Sequence, residues 1–363
     1  MIWRASCKLH HMTSSPSAIA LVVITLLLLA PNTASVTAAK SPAIARAQVW
    51  QRTNIPSMDL KTGPGGPGAF PFRAEIDCDY LDKELTGRSP KFACRDGDDD
   101  ELKVKFGGAN GEVYAEVAAS RLLWALGFGA DHMYPVKVTC HGCPAEFGGI
   151  VRPNGDRVFD PASVERKMPG RELADAWSWK DLDTIDDKAG GAPAVQRDAF
   201  KLLAVFLQHS DTKPEQQRLV CLGPGAVAED DACEQPFMLI QDLGVTFGRA
   251  TRFNENTPSS MNLAGWSSMP IWKTPTGPCT GNLPKSFTGT LGDPLISEGG
   301  RAFLADLLQQ LTDAQIRDMF EVARVTLRVR DPGHAKSGFP TVDEWASAFK
   351  QKRAEIVNRR CDA

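Results

Sequence analysis

Asp211 opens the pattern in this chain that could do the most chemistry. Lys213 stands two residues on and Gln216 five residues on, within His209-Ser210-Asp211-Thr212-Lys213-Pro214-Glu215-Gln216-Gln217. A second aspartate, Asp242, follows Asp211 by 31 residues and directly precedes Leu243-Gly244. Phosphoryl transfer needs a carboxylate beside the acceptor hydroxyl, a cation to neutralise the transferred group, and hard oxygen ligands for a divalent ion. On that chemistry Asp211 orients or deprotonates the acceptor and Lys213 neutralises charge. Gln216 and Asp242 offer oxygens to Mg²⁺ or Mn²⁺.

Such a site also needs a lysine on the phosphates and a helix carboxylate to hold it. Leu102-Lys103-Val104-Lys105-Phe106 alternates basic and apolar residues, so Lys103 and Lys105 share one face of a strand. Lys105 is the first choice and Lys103 the next. Glu116, 11 residues before Gly127, is the carboxylate candidate, with Glu112 one turn earlier. A solvated strand face would carry the same two lysines, and a lone solvated turn the same Asp-x-Lys; it is their combination that points to chemistry.

The elements that must position these groups are legible. Glu112 to Leu126 reads as a helix with Val113, Val117, Leu122 and Leu123 on its buried face, closed by Gly127 and Gly129. Gln196 to Gln208 is apolar at helical spacing and delivers Asp211 into a loop. Arg218–Leu222 and Pro236–Ile240 read as strands around the acidic turn Glu229-Asp230-Asp231, the second of them presenting Asp242. Short strands are expected between Phe70 and Cys94, over Tyr134–Thr139 and Phe147–Val151, and within 158–170. Thr62–Gly68 is glycine- and proline-rich and reads as linker, since its prolines remove the amide donors that a phosphate cradle needs. Residues 249–297 form a long loop, ordered if its tryptophans are buried. Trp177, Trp179, Trp266 and Trp272 fit packing under loops better than lining a groove. Thr312–Gln315 and Thr341–Glu344 are capping-box starts of two closing helices.

The totals place the chain. Its 363 residues are 42% hydrophobic and 23% charged, which suits a folded protein of one large or two modest domains. Arg4 and Lys8, the uncharged run Ala18–Ala30 and the small residues Val36–Ala39 read as a secretory signal over 1–39; the run of 13 falls short of the ~20 residues that span a bilayer. Without that segment 39 Lys and Arg face 44 Asp and Glu, a net charge of −5, and no later run is long and apolar enough to cross a membrane. That balance speaks against a nucleic-acid partner. Export to the periplasm or the extracellular space is expected, and the eight remaining cysteines fit disulfides. Proximity along the chain favours Cys78–Cys94, Cys140–Cys143, Cys221–Cys233 and Cys279–Cys361. Cys140-His141-Gly142-Cys143 also admits a redox pair or a metal knuckle, but Pro144 and the following apolar run favour a turn held by a structural disulfide.

His209–Gln216 resembles the H-R-D-L-K-P-E-N catalytic loop of protein kinases, and Asp242-Leu243-Gly244 resembles their D-F-G. Lys105, Glu116 with Ala118-Ala119 and Leu126-Gly127, and Tyr134-Pro135-Val136 look like the compact atypical kinases: the HipA-like, phosphoinositide-kinase-like and secretory-pathway kinases. The likeness runs from about Lys103 to Gly248, roughly 40% of the chain. It implies an α+β, two-lobed protein-kinase-like fold: 40–69 an extended linker, 70–165 a sheet-rich N-lobe, 166–171 a hinge and 172–363 a mainly helical C-lobe. It implies ATP in the cleft, Lys105 on its phosphates and paired with Glu116, Asp211 as base and Asp242 on metal, with a protein, lipid or small-molecule hydroxyl as acceptor. Gln216 stands where those kinases carry Asn, Ser210 replaces their Arg, and no orthodox glycine-rich loop precedes Lys105. The alternative is an inactive, disulfide-stapled module binding a ligand in the same cleft.

Overall fold

The structure, a computed structural model, describes residues 42–97, 100–144, 155–174, 176–223, 233–328 and 340–361. Residues 42–69 have a linker's composition yet pack closely. From α1 (Pro42–Ala45) onward, Ala43, Ile44, Ala47, Val49, Ile55 and Leu60 are buried in the main hydrophobic core. Their sparse apolar side chains point one way because backbone contacts fix the segment: Gln48 bridges to Phe237 and Trp50 to Phe128. The glycine-proline stretch serves the same end. The Pro64 carbonyl accepts from the Tyr134 hydroxyl at 2.7 Å, and that of Gly68 from Arg166 Nε at 2.7 Å.

Alternating apolar residues then give β1 (Ala74–Leu81), β2 (Lys91–Asp96), β3 (Glu101–Phe106), the two-residue β4 (Gly129–Ala130), β5 (His132–His141) and β6 (Arg157–Arg166). Five of them close a barrel in the order β1-β2-β3-β6-β5, with β1 parallel to β5. Leu102, Val104, Val136, Val138 and Val164 fill it, and Phe92, Phe106 and Phe159 pack ring to ring at 4.7–5.6 Å. The Cys78–Cys94 and Cys140–Cys143 disulfides lie in the same core. Since side chains alternate along a strand, sending Leu102 and Val104 inward turns Lys103 and Lys105 outward.

Against that outer face lies α2 (Glu112–Leu126), buried nearly all round rather than on one stripe. Gly127, at φ +86°, ends it; a Cβ there would overlap the Gln51 carbonyl.

A second sheet, β4-β9-β8-β7, joins β4 to β7 (Arg171–Glu172), β8 (Gln217–Cys221) and β9 (Pro236–Ile240). The helices are α3 (Ala194–Leu207), α4 (Asn256–Ser259), α5 (Leu263–Ser268), α6 (Glu298–Gln309), α7 (Asp313–Val322) and α8 (Val342–Val357). Both expected capping boxes form, Thr312 with Gln315 and Thr341 with Glu344. Phe206, Phe247, Trp266, Phe320, Trp345 and Phe349 make one aromatic core, and all four tryptophans expected under loops are buried. Cys221–Cys233 clips β8 to the start of β9, and Cys279–Cys361 ties the long loop to the C-terminal end, completing the pairing expected from proximity. The whole is a mixed α+β fold with four disulfides. Among the described residues no helix is long and apolar enough to cross a membrane. The segment 1–39, the strand expected at Phe147–Val151 and the turn Glu229–Asp231 lie outside the described residues.

His132, at the start of β5, has its pKa lowered to about 4, by burial first and the Arg121 charge second. An unfolded histidine titrates near 6.5, so the unfolded chain binds the proton more readily and stability falls as pH drops from about 6.5 to 4. His132→Gln is expected to remove an acid sensitivity on the order of 2 kcal/mol. Urea unfolding at pH 7 and pH 4.5 checks it: equal pH dependence in variant and parent refutes the assignment.

Candidate active site

The geometry begins where α2 crosses β3. Lys105, 1% exposed, is ion-paired with Glu116, with Glu112 at 3.0 Å and with Asp242 at 3.5 Å. The last comes from the chain just after β9, so residues 137 positions apart converge on one ammonium. Gly244 permits this approach: a Cβ there would come within 2.7 Å of Glu112 Cγ. The Gly244 N–H also donates to Asp242 Oδ1 at 2.9 Å.

The charges in this group are strongly coupled. Burial alone would discharge Lys105, but the three carboxylates raise its pKa well above the usual lysine value. Burial pushes Glu116 far up, against the pull of Lys105 and with Asp242 and Glu112 adding to it. Burial works the same way on Asp242, yet Lys105, the Glu116 side chain and the Gly244 N–H outweigh it and hold Asp242 well below the carboxylate range. Glu116 Oε2 is buried and accepts no hydrogen bond; a proton on Glu116 would be donated to Asp242. One carboxylate oxygen from each of Glu112, Glu116 and Asp242 lies within 4.8 Å of the others.

Asp211 forms a second group. Its Oδ2 accepts from Lys213 Nζ at 3.2 Å and Gln216 Nε2 at 3.1 Å, and its Oδ1 from Asn254 Nδ2 at 3.1 Å. The loop is set by the end of α3, where Gln208 takes the left-handed conformation at φ 55° without being glycine. Its side chain stabilises that turn by donating to the Val205 and Asn282 carbonyls. Ser286 Oγ donates to the Ser210 carbonyl at 2.7 Å, and Thr290 and Leu291 N–H groups donate to Thr212 Oγ1 at 3.1 and 3.2 Å. The expected long loop is thus ordered and holds Asp211 in place.

The two groups are neighbours. The Gln216 carbonyl accepts from the Gln241 N–H at 2.8 Å, which sets the start of β8 beside the residue preceding Asp242. His209, fully buried, is held below its ordinary pKa by burial, against opposing pulls from both Asp211 and Asp242.

Lys105, Glu116 and Asp242 therefore meet, as do Asp211, Lys213 and Gln216. Lys103 is not in the carboxylate group; its Nζ is bound to Glu165 on β6 at 2.5 Å. Gln216, expected to aim a carbonyl oxygen at metal, directs its amide nitrogen to Asp211. Four participants were missed or undervalued. Glu112 was the second-choice carboxylate. Ser89 donates to Glu112 Oε2 at 2.6 Å from the β1–β2 loop. Lys91 lies directly across from Lys105 in the β2–β3 register, and cross-strand partners share a face; burial, then the Lys105 charge, lowers its pKa. The alternation of 91–96 could have shown it. Asn254 gave no signal, since a loop residue 43 positions from Asp211 has no periodicity to read.

No family model matches this chain, and no curated protein matches it. Among solved structures, the Helicobacter pylori proinflammatory kinase CtkA is similar over 78% of this chain and 96% of that chain, at 11% sequence identity and a TM-score of 0.41.

Proposed function

We propose that the chain is an exported phosphotransferase with a two-lobed, kinase-like arrangement, moving the γ-phosphoryl group of ATP to a hydroxyl. One observation carries the reading: a buried lysine from β3 held by carboxylates from α2 and from the end of β9, beside a loop that presents Asp211 with Lys213. A structural ion pair needs one partner for Lys105; three carboxylates around one ammonium leave a net negative group that a divalent cation would complete. All its donors are hard oxygens, which fits Mg²⁺ or Mn²⁺ on Asp242 with Glu112 or Glu116. Such an ion, when bound, supplies charge neutralisation on the transferred group. Lys105 and its cross-strand partner Lys91 would hold the phosphates, with Ser89 of the β1–β2 loop fixing Glu112 beside them.

In the transfer, the acceptor oxygen forms its bond to phosphorus as the bond to the leaving oxygen breaks. ADP departs with that electron pair, and the hydroxyl proton passes to Asp211. Lys213 offsets charge on the transferred group, and Asn254 and Gln216 fix the Asp211 carboxylate.

A second reading, an inactive binding module, draws on one feature: Gln216 spends its amide on Asp211. Thermal unfolding with and without ATP and Mn²⁺ separates the two. Ligand at about 100 times its Kd stabilises by about 2.7 kcal/mol, which is a rise of several degrees in Tm. If neither ATP nor Mn²⁺ moves Tm, phosphotransfer is ruled out.

A further inference from the structure

Beside the catalytic-loop segment lies a cavity of about 470 Å³ whose wall is cationic. Arg252, Lys273 and Lys285 line it against a single carboxylate, Asp293, which is bound to Lys273 at 2.6 Å. Arg252 and Lys285 are exposed and have no ion-pair partner among the described residues. Three cations against one carboxylate give the lining a formal net charge of +2 on a chain that is acidic in total. Phe253 and Phe287, 65% and 68% exposed, pack edge to face at 5.1 Å on its rim and are the exposed aromatic side chains among the described residues.

The wall is fastened to the loop that carries Asp211. Ser286, which lines the cavity, donates to the Ser210 carbonyl. Asn254, two residues from Arg252, donates to Asp211 itself. The two loops forming the wall are joined by the Phe287 N–H donating to the Arg252 carbonyl at 3.0 Å. A molecule seated there is therefore presented at a fixed offset from Asp211.

We propose that this cavity docks the acceptor as an acidic polypeptide segment, its carboxylates on Arg252 and Lys285 and an apolar side chain against the phenylalanine pair. The proposal rests on the phosphotransfer reading for the word acceptor; the docking itself does not. Charge complementarity selects an anionic partner. A concave pocket with one aromatic pair suits a chain threading past Asp211 better than a bilayer, which takes a broad apolar face with several basic residues.

Fluorescence anisotropy with two labelled peptides, a serine flanked by glutamates and the same serine flanked by lysines, tests it on the full chain. The acidic peptide is expected to bind and the basic one not. The double variant R252E/K285E, both substitutions on the surface, is expected to weaken acidic-peptide binding about tenfold or more, with its Tm and any ATP-induced Tm rise unchanged. In phosphotransfer assays the same variant is expected to raise KM for the acidic peptide and leave kcat in place. Equal binding of both peptides, indifference to the double substitution, or binding only to phosphatidylserine vesicles overturns the proposal. Acidic-peptide binding without any ATP-induced Tm rise sinks phosphotransfer alone, and the converse result sinks docking alone.

Discussion

Asp211→Asn is expected to lower kcat for phosphotransfer by about a thousandfold, within the range of roughly 10²–10⁴ for losing a positioned general base. Asn is nearly the same size and keeps one acceptor oxygen, so the loop should stay in place. Its anchors are elsewhere: Ser286 on the Ser210 carbonyl, the Thr290 and Leu291 amides on Thr212, and the Gln208 turn at the end of α3. What is lost is the carboxylate, proposed above as the proton acceptor, that Lys213, Gln216 and Asn254 hold. Single-turnover transfer measured beside ATP-induced thermal stabilisation separates the outcomes. Retained stabilisation with collapsed turnover is the expected pair. Turnover within a factor of two of the parent would remove Asp211 from the chemistry.

Lys105→Met is expected to destabilise the protein by about 3–5 kcal/mol, the range for removing one partner of a buried ion pair. The methionine fills the volume but leaves Glu112, Glu116 and Asp242 facing one another without their shared cation. Asp242 is held ionised chiefly by Lys105 against its burial, so its loss is felt at both ends of the group. Adding Glu116→Leu should return part of the stability, because it removes one of the buried acids left unpaired. A urea-denaturation cycle over both positions measures this as coupling between the two sites. Strictly additive losses would mean that Lys105 and Glu116 do not share the contact on which the site is built.

Much of this was legible from local pattern. Leu102–Phe106 alternates, and a strand of that pattern sends Lys105 to the face opposite Leu102 and Val104 whatever it pairs with. The helix Glu112–Leu126, its glycine stop and the two capping boxes depend on residues within four positions of each other, so their signals are complete in the sequence. The disulfides were legible for a related reason. Three of the four close short spans of 3, 12 and 16 residues, and the fourth joins the two cysteines left over. The segment 42–69 was misjudged because its few apolar residues show no period; they are buried by strand-like bridges to Phe128 and Phe237, which its composition does not encode.

The sequence by itself determined which groups are available, and on which element each rides: Asp211 after a helix, Asp242 after a strand, Lys105 and Glu116 facing away from apolar neighbours. Only the tertiary structure decided between Lys105 and Lys103, brought Glu112 into the group, placed Lys91 across from Lys105 and set Asn254 on Asp211. The reason is physical. Side-chain direction along one element follows from backbone geometry, whereas an ion-pair partner is chosen by the distance at which two elements cross. Where α2 crosses β3, two carboxylates reach Lys105, the chain after β9 brings the third, and Lys103 is left to Glu165.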